Sequence, residues 1–190
     1  MKLVLHMMVT LTLIGIVSGA ILSELNSWAA PKIEANRRAE TERAIFVVQA
    51  DGIKYKKVDN IEFELYEVFN DDSNSIGYAL PYEGNGFQGK IRLIVGVNKD
   101  LSSLLGLEVL EQVETPGLGT KVTEVPFTDQ FIDLKLTPDI AWVKGIQPQN
   151  PNEIQAITGA TISSKAIVRI INEGINRLRS IKSVGSKIEE

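Results

Sequence analysis

Residues 154–182 read IQAITGATISSKAIVRIINEGINRLRSIK, and two different periods meet inside them. Ile154–Ile157 reads as the apolar end of a short strand. From Ser163 to Lys182 the apolar residues Ile167, Ile170, Ile171, Ile175, Leu178 and Ile181 recur at three and four, which predicts a helix with one apolar stripe. Lys165, Arg169, Asn172, Glu173, Asn176, Arg177 and Arg179 take its polar face. A stripe of that kind needs a sheet or another helix to cover it. The change of period falls on Thr158-Gly159-Ala160-Thr161, a run of small residues at the expected helix start.

The covering surface is legible upstream. Lys90–Val97 (KIRLIVGV) and Leu105–Val113 (LGLEVLEQV) read as two strands, the first nearly continuous in apolar residues. Phe63, Leu65 and Val68, interleaved with Glu62, Glu64 and Glu67, predict a half-buried strand that ends in the polar turn Asn70–Ser75 and pairs with Ile76–Leu80. Gly84-Asn85-Gly86 marks a second turn. Pro126 opens a short helix through Phe131, Ala141–Lys144 is a short strand, and Gly145–Asn152 is a loop. The predicted class is α+β, with an N-terminal transmembrane helix followed by one domain of mostly antiparallel sheet and packed helices.

The N-terminal helix comes from Leu3–Leu22 (LVLHMMVTLTLIGIVSGAIL), about 20 mostly apolar residues and long enough to cross a bilayer. Lys2 precedes the run and Glu24 follows it, which places the N-terminus in the cytoplasm and the rest outside. Ser18 with Ala20 and Ser27 with Ala29 offer cleavage sites, but the run is long for a signal peptide. The expected layout is an anchor over 1–25, a juxtamembrane helix or stalk over 26–50, a ligand-binding domain over 51–182 and a flexible tail over 183–190. His6 within the anchor is given no role.

Composition narrows the chemistry. The 190 residues are 44% hydrophobic, with no cysteine and one histidine, so thiolate metal sites, iron–sulfur clusters and cysteine nucleophiles are excluded. Any redox function must come from an organic cofactor. The net charge is −4, with acids and bases interleaved as in Arg37, Arg38, Glu40, Glu42 and Arg43, and no basic stripe for nucleic acid is present.

Two segments carry candidate chemistry. In Thr158–Lys165 (TGATISSK) a helix start offers unpaired N–H groups and a positive dipole end, Thr158, Gly159 and Ala160 let a ligand come close, and Thr161, Ser163, Ser164 and Lys165 add donors for a phosphate. The same residues would also serve as an ordinary helix cap. Glu114–Thr120 (ETPGLGT) follows a strand, and Pro116 and Gly117 make it a rigid turn. It is either a plain connection or a surface on which a planar ring lies against Gly117, Leu118 and Gly119, with Glu114 and Thr115 bonding the ring edge.

ETPGLG followed downstream by TGATISSK, behind an anchor, resembles the FMN-binding domain family. Within it the likeness is to the G subunit of the Rnf electron-transport complex and the related C subunit of the sodium-translocating NADH:quinone reductase. The resemblance covers nearly the whole chain. It implies that Thr161 forms a phosphoester with FMN, installed by a flavin transferase that draws on FAD, and that both segments bind the cofactor. A threonine hydroxyl is a poor nucleophile unaided, in keeping with a separate enzyme for attachment. The implied role is an electron-transfer subunit, partnered by other membrane subunits, in a ferredoxin:NAD oxidoreductase complex coupled to ion translocation in the plasma membrane. The alternatives are the equivalent subunit of the quinone reductase or a non-redox anchored binding module. Two positions depart from the family's pattern: Gln155 stands where an aspartate is common, with Glu153 nearby, and Gln112 stands where a histidine is frequent. Trp142 and Tyr82 are candidates to shield the ring, though aromatic residues are more often core.

Overall fold

A computed structural model of the chain describes residues 2–59 and 61–185. It divides into two units, Met1–Glu40 and Thr41–Glu190. The first belongs to helix α1 (Lys2–Val48), which continues through Pro31. Its apolar residues Leu3, Met7, Leu11, Ile14 and Ile21 are exposed, and the helix is long and apolar enough to cross a membrane.

The second unit is built on strands β1 (Lys54–Lys57), β2 (Tyr66–Phe69), β3 (Ser75–Asn85), β4 (Lys90–Asn98) and β5 (Leu104–Gln112). They form one antiparallel meander in the order β1-β2-β3-β4-β5. Leu80 lies opposite Val95 and Ile94 opposite Glu108, with the β4–β5 register shifting at Arg92/Leu93 and Gly96/Val97. Strand β4 is apolar almost throughout because both its faces are covered. Ile91, Leu93, Val95 and Val97 enter the larger core with Ile167, Ile170, Ile171, Ile175 and Leu178 of α3 (Thr161–Gly185). Ile94 faces the other way, with Ala79, Tyr66 and Val68, against Ala44, Ile45 and Val48 at the end of α1.

The end of α1 lies unusually close to the sheet. A Cβ on Gly96 would collide with the Val48 carbonyl oxygen. Gln49, 1% exposed, donates to the Tyr78 and Val97 carbonyls at 2.9 and 3.0 Å, joining β3 to β4. The segment expected as stalk over 26–50 therefore contributes its last residues to the folded unit, which begins at Thr41 rather than at residue 51.

Three local features differ from the sequence reading. Strand β2 starts at Tyr66, so Phe63 lies before it and packs at the edge of the main core. Strand β1 (KYKK) carries no apolar alternation because it is an exposed edge, where lysines discourage further pairing. Strand β6 (Ala141–Lys144) pairs in parallel with β7 (Glu153–Ala156), a two-stranded element outside the main sheet. Between the sheets run a 3-10 turn over Gly119–Thr123, the short helix α2 (Val125–Thr128) and a second 3-10 turn over Asp129–Phe131, which seat Phe127 and Phe131 in the core. Helix α3 continues to Gly185, into the segment expected as a tail over 183–190, of which residues 186–190 lie outside the described residues.

Candidate functional site

Strand β7 ends at Ala156, the chain turns through Thr158 and Gly159, and α3 begins at Thr161. Gly159 has φ +89°, a conformation L side chains rarely adopt, and this reverses the chain into the helix. Ser164, fully buried, ties the turn together: its hydroxyl accepts the Ile157 N–H at 3.1 Å and donates to the Ala160 carbonyl at 3.0 Å. Thr161 is half-buried, and its hydroxyl donates to the Ile157 carbonyl at 3.4 Å, a long and weak bond. As the first helical residue it leaves the hydroxyl beside the N–H groups that no helix can satisfy internally. Thr158 and Gly159, just before it, are both exposed.

The second segment follows β5. Gly117 has φ +73°, and a Cβ there would meet nothing within 4 Å. The turn is closed by the Leu118 N–H to the Thr115 carbonyl at 3.2 Å and the Gly117 N–H to the Thr120 hydroxyl at 3.0 Å. Gly117 is thus required by backbone conformation and not by crowding. Gly117→Val is expected to cost about 1–3 kcal/mol. The measurement is thermal unfolding, which should shift down by several degrees.

Tertiary structure brings the two segments together. A Cβ on Gly159 would sit 3.5 Å from Leu118 Cδ2, so the Leu118 side chain lies over the turn before α3. Glu114, 4% exposed, accepts the Ser163 hydroxyl at 2.5 Å. Its other oxygen accepts the Phe87 and Gln88 N–H groups at 2.8 and 3.1 Å. Leu118, Phe87, Val113 and Ile162 are exposed apolar side chains on these segments.

The structure distributes the expected site residues in three ways. Thr158, Gly159, Ala160, Thr161, Thr115, Gly117, Leu118 and Gly119 belong to the two joined turns. Ser163, Ser164 and Glu114 belong there too, but their polar atoms are committed to one another and to the backbone. Lys165 points elsewhere, its ammonium 4.0 Å from the Trp142 ring centre. Trp142 and Tyr82 are not at the helix start: Trp142 carries Lys165, and Tyr82 packs beneath Gly174 in the middle of α3.

Sequence reasoning marked Gly84–Gly86 as a turn but missed that Phe87 and Gln88 beyond it join the site, since pairing between residues this far apart has no local signature. Gln88 also donates to the Thr115 hydroxyl at 3.3 Å. Gln112 accepts the Glu114 N–H at 2.6 Å and so steadies the loop. Gln155 is gripped by Gln130, which accepts its N–H at 2.7 Å and donates to its carbonyl at 3.3 Å. Both line a groove of about 240 Å³ with Lys121, Glu124, Ile157 and Thr158. Glu153 accepts N–H groups of Gln149 and Asn150 and the Asn150 side-chain amide, and these bonds, the Gln149 N–H first, hold its carboxyl below the usual carboxylate range.

Known proteins are similar to this chain. Residues 86–176 match the FMN-binding domain family, a span that begins at the turn before Phe87 and ends within α3. The chain belongs to that family. It is similar to the G subunit of the proton-translocating ferredoxin:NAD(+) oxidoreductase complex of Clostridium ljungdahlii, with 30% identity over 169 residues, 88% of each chain. It is also similar to the G subunit of the ion-translocating oxidoreductase complex of Methanosarcina acetivorans, with 27% identity over 183 residues, 92% of this chain and 94% of that one. In fold it resembles the crystal structure of Shewanella oneidensis NqrC, with TM-score 0.55 and 22% identity over 70% of this chain and 74% of that one. With one membrane-length helix among the described residues and relatives in ion-translocating complexes, the protein is a single-pass membrane protein that binds FMN.

The residues present fit that cofactor. A helix start with free N–H groups suits its phosphate, and an apolar surface beside a glycine turn suits its ring. The hydroxyl of Thr161 stands at the first of these.

Proposed function

We propose that this chain is the electron-carrying subunit of an ion-translocating ferredoxin:NAD oxidoreductase complex, with FMN joined through its phosphate to the Thr161 hydroxyl. The observation that carries the reading is the position of that hydroxyl: half-exposed on the first residue of α3, in the turn that Leu118 overlies. Near-complete alignment with the Methanosarcina G subunit favours this setting over a quinone reductase. FMN, when bound, supplies one- and two-electron chemistry, and the protein supplies position and electrostatics.

Each group then has a task. The N–H groups at the start of α3 and the helix dipole hold the anionic phosphate of the cofactor. Gly117 and the exposed Leu118 side chain would give the ring an apolar rest. The Thr161 oxygen forms the phosphoester. A flavin transferase drawing on FAD would supply the FMN, and the Thr161 hydroxyl would be the group that receives it. The Thr161 hydroxyl bonds the Ile157 carbonyl rather than a basic side chain, so attachment depends on the partner enzyme.

Lys2 before the apolar run and Glu24 after it favour a cytoplasmic N-terminus, with the FMN domain outside. A reporter active only in the cytoplasm, fused after Glu190, is expected to remain silent; activity would reverse the orientation. Coexpressed with a competent transferase, the purified chain is expected to be yellow and to fluoresce under ultraviolet light after denaturing electrophoresis. A colourless, unmodified chain would refute the covalent reading.

A further inference from the structure

Glu114 is a carboxylate with almost no access to water, and it lies where three chain segments converge. Its backbone belongs to the loop after β5, its Oε1 holds the Phe87 and Gln88 N–H groups of the β3–β4 turn, and its Oε2 holds the hydroxyl of Ser163, itself 3% exposed, two residues into α3 from Thr161. All three partners are donors, so both carboxylate oxygens act as acceptors. Two glycines mark how closely the neighbours fit around it. A Cβ on Gly86 would collide with Glu114 Oε1, and one on Gly119 would fall 2.7 Å from Glu114 Cβ and 3.1 Å from the Ser163 hydroxyl. Both oxygens are engaged within the protein.

We infer that Glu114 is a positioning residue: it clasps the β3–β4 turn and the start of α3 to the 114–120 loop, so that the seat of the ring and the attachment hydroxyl keep one spacing. It acts on Thr161 through Ser163 and on the apolar rim through Phe87. Removing the carboxylate leaves two backbone N–H groups and a buried hydroxyl without their acceptor, which frees the turn and the helix start to move separately. An amide of the same shape can keep the clasp, its oxygen facing the two N–H groups and its NH₂ donating to the Ser163 oxygen.

The inference rests on the proposed attachment at Thr161 for one of its two readouts and is independent of it for the other. In the full chain in detergent micelles, without flavin, amide hydrogen exchange at Phe87 and Gln88 is expected to be about tenfold faster in Glu114→Ala than in the wild type. Glu114→Gln is expected to exchange like the wild type. In coexpression with the transferase, intact mass followed over time should show attachment about tenfold slower in Glu114→Ala and in Ser163→Ala, with recovery in Glu114→Gln. Leu178→Ala, which lowers stability from the far half of α3, serves as the control and should attach FMN at the wild-type rate.

Unchanged exchange at Phe87 and Gln88 in Glu114→Ala would overturn the clasp. A wild-type attachment rate in Glu114→Ala or Ser163→Ala would overturn its bearing on Thr161, as would equal slowing in Leu178→Ala, which would reduce the effect to lost stability. Should Glu114→Ala fail to fold, Ser163→Ala and Glu114→Gln decide by the same criteria. If the wild type itself carries no adduct, the attachment reading fails, and exchange alone decides the clasp.

Discussion

Thr161→Ala and Thr161→Val are each expected to abolish covalent flavin while leaving the fold intact. The expected loss is complete because only this hydroxyl starts α3 with an exposed side, whereas the neighbouring hydroxyls are otherwise placed. Ser163 and Ser164 are buried and bonded to Glu114, Ile157 and Ala160, and Thr158 lies outside the helix. The fold should survive, since Thr161 gives up only a 3.4 Å bond to the Ile157 carbonyl, a loss of about 1 kcal/mol or less. Thr161→Ser keeps the oxygen and is expected to retain attachment. Intact mass after coexpression with the transferase is the measurement, and an FMN adduct on the Ala variant would move the site elsewhere.

The second large effect concerns where the folded unit begins. A chain starting at Thr41 is expected to fold, and one starting at Asp51 is not. The shorter chain lacks Ala44, Ile45 and Val48, all buried against Ile94, Val68 and Ala79, and it lacks Gln49, which joins the Tyr78 and Val97 carbonyls. Burying a side chain such as Ile45 or Val48 is worth about 1.5–3 kcal/mol. With the uncovered sheet face and the lost bonds, the deficit is a large part of the total of about 5–15 kcal/mol that holds a domain together. Circular dichroism during heating should show one cooperative transition for the longer fragment and none for the shorter. Gly96→Val probes the same contact by another route, because its side chain would drive into the Val48 carbonyl. A normal melting transition in the fragment from Asp51 would show that the sheet closes without the end of α1.

Much of this was readable from residues alone. The apolar run Leu3–Leu22 reads as a membrane helix from its length and hydropathy, which need no tertiary information. The spacing of Ile167 to Leu178 specifies α3 and its buried face, and the α+β class with an antiparallel sheet follows from the strands around it. The two glycine turns are local too: Gly117 and Gly159 both take the positive φ that only glycine adopts at little cost. ETPGLG and TGATISSK therefore announced themselves as special, and the family they resemble is the one to which the chain belongs.

Residue types did not disclose what each side chain in those motifs does. Glu114 and Lys165 both read as groups offered to a ligand, yet Glu114 is spent inside the protein and Lys165 rests on Trp142. Strand β1 escaped notice because an exposed edge needs no apolar alternation, and the parallel pairing of β6 with β7 escaped because register between strands leaves no period in the sequence. The reach of the fold back to Thr41 was hidden for a related reason. A helix that is polar enough to leave a membrane and apolar enough to dock on a sheet carries both signals within a few turns, and only the glycine-lined approach of Val48 to Gly96 decides between them. Local sequence determined the elements, the anchor and the two turns, since those depend on backbone conformation and hydropathy within a short window. The partners of Glu114, Gln49 and Leu118 were decided by tertiary structure, because hydrogen bonding and contact between distant segments exist only once the sheet has closed.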